Sequence, residues 1–260
     1  MLKRALLVLA ATLAMCLTAS EGETMEKLTV MISGGFSLAY NQVLPEFERS
    51  TDTTVTTLSG ASQGTGPKTI KSQLEQGAEV DVVILSKAGL NELIAAGLIA
   101  KGSELVLADV PLGAAVRQGA PKPDISSVDA FKKAVLNAKL VVMGASTSGI
   151  FMKDEVFPRL GIADKVSLKM VPRGSDSTGM LAAGEADFVV GPISELVHQP
   201  GIEVVGRLPD DVQLIQPFAA AIVARAHNTA QAKRLIDFLG SGRSTAAIKD
   251  SGMTPAGNRK

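Results

Sequence analysis

Four short stretches of the chain combine glycine with hydroxyl side chains: Ser33-Gly34-Gly35-Phe36-Ser37, Ser59-Gly60-Ala61-Ser62-Gln63-Gly64-Thr65-Gly66, Ser146-Thr147-Ser148-Gly149 and Arg173-Gly174-Ser175-Asp176-Ser177. Each follows a run of strand-forming residues and precedes or opens a segment of helical period. Each therefore reads as a strand-to-helix junction at the carboxyl edge of a sheet, where open α/β folds place their ligands. Glycine lets the backbone approach a ligand closely, hydroxyls donate hydrogen bonds, and a helix N-terminus adds oriented N–H groups with partial positive charge. The chemistry this describes is the binding of a small anion by mainly neutral donors. Any one junction of this kind reads equally well as a helix cap and a tight turn. Several of them, divided between the two halves of the chain, point to a shared cradle. The candidate contacts are Gly35 and Ser37, then Ser62, Gln63 and Thr65, then Ser146, Ser148 and Gly149, and finally Arg173 and Ser177.

Charged residues are few in these stretches. Arg173 could clamp a carboxylate through two parallel hydrogen bonds, or stand as a solvated loop arginine. Arg117 is a weaker candidate of the same kind. Asp176 is the acid within the cradle segments; it reads as a helix cap or, if the site moves protons, as the base beside Arg173. Other chemistries fit poorly. The run from Gly60 to Thr69 has a superficial likeness to a phosphate-binding loop, but Pro67 removes a backbone donor between Gly66 and Lys68. His198 and His227 are the only histidines, and neither has carboxylates around it in sequence. No metal site, catalytic triad or cofactor is therefore expected.

The elements that must position these residues alternate. Leu28 to Ile32 reads as a strand, and Phe36, Tyr40, Val43, Leu44 and Phe47 share one helix face. Strand, helix and strand follow at Thr53 to Leu58, Thr69 to Gln76 and Val80 to Leu85, an order that specifies a parallel doubly wound sheet. A second series runs through Leu112 to Val116, a helix from Ser126 to Leu136 with Ser126 and Asp129 as a capping pair, Leu140 to Met143, a helix from Gly149 to Leu160, Val166 to Val171, Thr178 to Gly184 and Phe188 to Val190. Val204 to Gly206, Leu214 to Ala224 and helices at Thr229 to Leu239 and Ser244 to Asp250 complete the chain. So many strands call for two sheets. The expected fold is α/β, with two doubly wound lobes joined by a two-stranded hinge: residues 23–110 and 218–260 in the first lobe, 111–217 in the second.

Composition narrows the function. Lys3 and Arg4 precede an apolar run from Ala5 to Leu17 and small residues to Ser20, the layout of a cleaved secretory signal over residues 1–22 and hence of a periplasmic location. Cys16, the only cysteine, falls inside it, so no disulfide or thiol chemistry is expected. Lys and Arg (26) balance Asp and Glu (26), which argues against a nucleic-acid partner. With no Trp and one Tyr, stacking platforms for sugars or bases are scarce.

The run from Leu28 through Ile84, with its Gly-Gly-Phe-Ser-Leu start, the Leu74-Glu75-Gln76-Gly77-Ala78 step and the Val80-Asp81-Val82-Val83-Ile84 strand, resembles the periplasmic molybdate-binding proteins of ABC transporters. Ser146 to Leu160, Arg173 to Leu181 and Ala186 to Ser194 extend the resemblance over nearly the whole chain beyond the signal. It implies the type II periplasmic binding protein fold and an oxyanion held by first-lobe serines, here Ser37 and Ser62, and by second-lobe N–H groups at Ser148 and Ser177. The family's ligating tyrosine corresponds to Val190, which has no side-chain donor, and the second junction is longer by Gly64-Thr65-Gly66-Pro67. Losing one charged hydrogen bond costs about 1.5–3 kcal/mol, so the departures favour a carboxylate ligand over molybdate. The chain is also similar to the aconitate isomerase group, exported proteins on the same fold that interconvert trans- and cis-aconitate. The resemblance therefore leaves two expectations: an isomerase using Arg173 and Asp176, or a monomeric capture protein that delivers its anion to an ABC permease.

Overall fold

The computed structural model describes residues 26–258. The expected signal segment, with Cys16, lies outside the described residues. The first series of elements is β1 (Glu26–Ile32), α1 (Gly34–Thr51), β2 (Thr53–Ser59), α2 (Ile70–Glu75), β3 (Val82–Ser86) and α3 (Lys87–Ala95), followed by the long strand β4 (Leu105–Arg117). The second is α4 (Val128–Asn137), β5 (Val141–Gly144), α5 (Thr147–Phe151), α6 (Phe157–Arg159), β6 (Leu168–Val171), α7 (Gly174–Ala182), β7 (Phe188–Pro192), α8 (Ile193–Leu196) and β8 (Ile202–Arg207). The chain returns through β9 (Ile215–Ile222), α9 (Thr229–Leu239), α10 (Thr245–Asp250) and β10 (Thr254–Pro255).

The strands follow one hydrogen-bonded path, β2-β1-β3-β9-β4-β7-β5-β6, with β8 and β10 also paired to β4. The triplet β2-β1-β3 is parallel, as is β6-β5-β7, so each half is doubly wound. Two separate sheets were the expectation, and β4 is the reason they are joined. Its first part, Leu105 to Pro111, pairs antiparallel with β9; its continuation, Leu112 to Arg117, pairs with β7 and β8. One strand long enough to serve both halves turns them into a single curled sheet. At the changeover the Gln213 side chain clips β4: Leu112 N donates to Oε1 at 2.6 Å, and Nε2 donates to the carbonyls of Leu112 and Leu208 at 3.1 Å.

Helical spacing explains how each half fills its core. Phe36, Ala39, Tyr40, Val43 and Phe47 repeat along one face of α1 and are buried against Leu28, Val30 and Ile84. Phe131, Phe157 and Phe188 anchor the corresponding core of the second half with Val141, Met143 and Val190. Each such aromatic contributes roughly 1.5–3 kcal/mol when fully buried. This fixes α1, α5 and α7 with their N-termini at the carboxyl edges of their strands.

Local details depart from the sequence reading. The cap of α4 is Ser127, whose Oγ accepts Ala130 N at 3.1 Å, while Ser126 N donates to Asp124. The helix begins one residue later than the Ser126–Asp129 pair implies. The single helix expected from Gly149 to Leu160 starts earlier, at Thr147, and is interrupted by a π turn over Met152–Val156. Helix α3 was not anticipated; Ser86 Oγ accepts Gly89 N at 3.2 Å and starts it.

Candidate functional site

The glycine-hydroxyl junctions all reach one cavity between the two halves, enclosing about 270 Å³. That lies at the small end of ligand pockets, which run to roughly 300–1,000 Å³, and suits a compact solute. Ser33, Gly34 and Ser37 enter from the start of α1, and Ser59 through Ser62 from the loop after β2. Opposite them stand Ser146, Thr147 and Ser148 at the start of α5, and Arg173, Gly174, Ser175 and Ser177 at the start of α7. Val190 and Pro192 of β7, Ser194 and Glu195 of α8, and Gln216 and Phe218 of β9 also line the cavity.

Hydrogen bonds hold the halves together around this space. Gln63 N donates to Ser146 Oγ at 3.2 Å, and Thr147 Oγ1 donates to Gln63 Oε1 at 2.7 Å while pairing with Ser86 Oγ at 2.8 Å. Arg173 Nη1 donates to Ser59 Oγ at 3.0 Å, and Ser194 Oγ to the Gly35 carbonyl at 2.6 Å. Gly64, at φ +108°, brings the loop so near Ala145 O that a Cβ there would collide with it.

The wall divides into donors already engaged and donors that are not. Ser37 donates to Ser33 O, Ser62 to Ser33 Oγ, and Ser177 to Gly174 O. Ser33 and Ser146 only accept, so their hydroxyl hydrogens are free to turn toward a ligand. Two buried nitrogens of wall residues, Arg173 Nε and Gln216 Nε2, have no hydrogen-bond partner among the described residues. Unpaired buried donors cost about 1–3 kcal/mol each, so both belong to residues that the fold leaves with an unmet hydrogen bond beside the cavity.

Arg173 and Glu195 are the charged side chains lining the cavity. Arg173 Nη2 pairs with Asp176 Oδ1 at 3.4 Å. The Glu195 carboxyl lies against Gly34 and Gly174, the first residues of α1 and α7, where a Cβ on either would collide with it. Burial pushes its pKa from 4.5 up to about 7. The residue keeps partial exposure.

A family model described as bacterial extracellular solute-binding protein matches residues 28–254. The chain belongs to this solute-binding family. Family membership implies an extracellular solute-binding role. An aconitate isomerase of Pseudomonas sp is 35% identical over 231 residues, covering 88% of this chain and 87% of that protein. The periplasmic molybdate-binding protein of Azotobacter vinelandii has the same fold, with a TM-score of 0.71 at 18% identity over 87% of this chain and 98% of that one. A sulfate-binding protein of Mycobacterium tuberculosis H37Rv superposes with a TM-score of 0.69 at 16% identity, covering 90% of this chain and 88% of that one. The fold is thus that of the type II periplasmic binding proteins.

Within this solute-binding scaffold, Ser37, Ser62, Ser146, Ser148, Arg173, Ser177 and Val190 stand on the cavity wall as a group. Six expected contacts do not. Gly35 is backed against the Phe218 ring, and Gly149 is tucked under Gly144 O; both serve packing. Gln63 spans the halves and donates through Nε2 to Glu92 at 2.5 Å, and Thr65 is exposed in the loop beyond it. Asp176 lies off the wall because it caps α7, accepting Arg173 N on Oδ2 at 3.2 Å. Arg117 is exposed beside Gly184 and also off the wall.

Ser33, Gln216 and Glu195 are among the wall residues that the sequence reading did not name as site contacts. Ser33 holds the position of the free first-half hydroxyl that was assigned to Ser37. Gln216 was visible as a polar residue inside an otherwise apolar strand. Glu195 follows β7 at Gly191-Pro192-Ile193-Ser194, where proline and isoleucine separate the glycine from the hydroxyl, so the local pattern is weaker than at the four junctions.

Proposed function

We propose that the protein binds a small polycarboxylate of the aconitate type in this cleft and interconverts its trans and cis isomers. The observation that carries the reading is the pair of unpartnered buried donors, Arg173 Nε and Gln216 Nε2, in residues of a wall rich in hydroxyls. They offer hydrogen bonds to an anion whose charge is spread over separated carboxylates, and to the dienolate-like charge that develops when a methylene proton leaves. The 35% identity with an aconitate isomerase over most of both chains supports the choice of ligand and reaction. Val190 supports it from the other side, since its apolar side chain removes a donor that a tetrahedral oxyanion would use.

In this reading residues 23–110 and 218–260 form one lobe and 111–217 the other. The long strand β4 and the return into β9 are the hinge, and the cross-cleft bonds of Gln63 and Thr147 hold the closed state. Residues 1–22 direct export, and the mature protein works as a monomer, with its lobes free to open. The second reading, a non-catalytic carrier for a carboxylate or a molybdate-type oxyanion that docks on an ABC permease, is favoured by the likeness to the molybdate-binding fold. The test is to incubate the purified protein with trans-aconitate and follow the vinyl protons by NMR. Catalytic conversion to the cis isomer, lost in Arg173→Ala, supports the isomerase. Stoichiometric binding without turnover supports the carrier, and thermal stabilisation by molybdate alone would remove both carboxylate readings.

A further inference from the structure

We propose that Glu195 is the catalytic proton carrier of the cleft and that it serves both carbons of the allylic system. The inference rests on the isomerase reading. Among the described residues Glu195 is the one carboxyl on the cavity wall, since Asp176 is turned into the cap of α7. Its place is built by three elements. Helix α8 follows β7 directly, the neighbouring Ser194 is pinned to the Gly35 carbonyl of α1, and Gly34 and Gly174 leave room for the carboxyl over the starts of α1 and α7. Those two helix N-termini favour the ionised form and burial favours the neutral one. A group held between the two states suits general acid–base work near neutrality. A wall made only for anion capture would gain nothing from a carboxyl, because like charge opposes binding.

The step balances without a co-reactant. The Glu195 carboxylate removes a proton from the methylene carbon of trans-aconitate. The C–H electron pair becomes part of a delocalised dienolate whose carboxylate oxygens face Arg173 and Gln216. The Glu195 acid then returns a proton to the former vinyl carbon, and the double bond has moved by one position. Because a carboxyl carries one proton and this one is sheltered, part of the protium removed from the substrate returns to the product.

Turnover of trans-aconitate in D2O, followed by NMR, tests this. The wild type is expected to give cis-aconitate that keeps a measurable share of protium at the accepting carbon. Glu195→Gln is expected to lose about a thousandfold in turnover while binding trans-aconitate as tightly as the wild type or more so by calorimetry. An active wild type whose product is fully deuterated would overturn the proton-carrier role and leave the isomerase reading standing. So would a Glu195→Gln variant that keeps more than about a tenth of the turnover, or one that folds but no longer binds. Binding by the wild type with neither turnover nor deuterium uptake would overturn both.

Discussion

Replacing Glu195 by Gln should stabilise the protein in a pH-dependent way. In the unfolded chain the carboxyl ionises around its ordinary 4.5; in the fold burial moves it to about 7. Between those values the native state holds a proton that the unfolded state has released. Wild-type stability therefore falls as pH rises through this window and levels off above about 7. At about 1.4 kcal/mol per pH unit the full effect is about 3.5 kcal/mol. This is an upper bound, because the N-termini of α1 and α7 favour the charged form and the side chain keeps partial exposure. A working value a little under half of this, roughly 1.5 kcal/mol, corresponds to a Tm difference of about 3–6 °C for a chain of this size. Thermal melts of both proteins between pH 4 and pH 8, without ligand, measure it. The variant should melt close to the wild type at acid pH and progressively above it toward neutrality. A Tm difference that stays flat across the series, or that shrinks as pH rises, would refute the reasoning.

Arg173→Lys should weaken trans-aconitate binding by about 10–100-fold, since Lys cannot supply the buried Nε donor; calorimetry reads this, and unchanged affinity would contradict it. Gly174→Ala places a methyl where the Glu195 carboxyl lies, so turnover should fall by at least about tenfold while circular dichroism remains native. Val190→Tyr should fill part of the cavity and add a hydroxyl, reducing stabilisation by trans-aconitate and introducing stabilisation by molybdate in thermal-shift assays. Gln213→Ala removes the clip on Leu112 and Leu208 and should lower stability by about 1–3 kcal/mol in urea unfolding, because it leaves buried backbone groups unpaired.

What the sequence revealed depended on how local each signal was. The face of α1 is written in Phe36, Tyr40, Val43 and Phe47, which repeat at helical spacing, and that face is buried as a unit. The glycine-hydroxyl junctions are likewise local patterns, and the fold brings them to one wall. Hydroxyl direction is not local. Ser37 and Ser62 read as ligand donors, yet their hydrogens are taken by Ser33, a residue of the same type a few positions or one loop away. Glu195 is the clearest example of a site residue with no sequence signature. Ile193-Ser194-Glu195-Leu196 reads as an ordinary amphipathic turn, and the acid acquires its raised pKa only when α1 and α7 close over it from distant parts of the chain. The two-stranded hinge was expected from the sequence, but the pairing of its strands, β4 with β9, into one continuous sheet was not. Strand pairing changes partner between Pro111 and Leu112, within one strand that continues through Asp109 and Pro111, so the sequence pattern does not mark where one set of partners gives way to the next.

The most direct test of a polycarboxylate cleft shared by the two halves is a crystal structure of the protein with trans-aconitate. Carboxylate oxygens are expected within about 3.2 Å of Arg173 Nε and Gln216 Nε2, with the Ser33 and Ser146 hydroxyls completing the contacts from opposite sides. A ligand bound elsewhere on the surface, or one held by a single half with those nitrogens still unpaired, would contradict it.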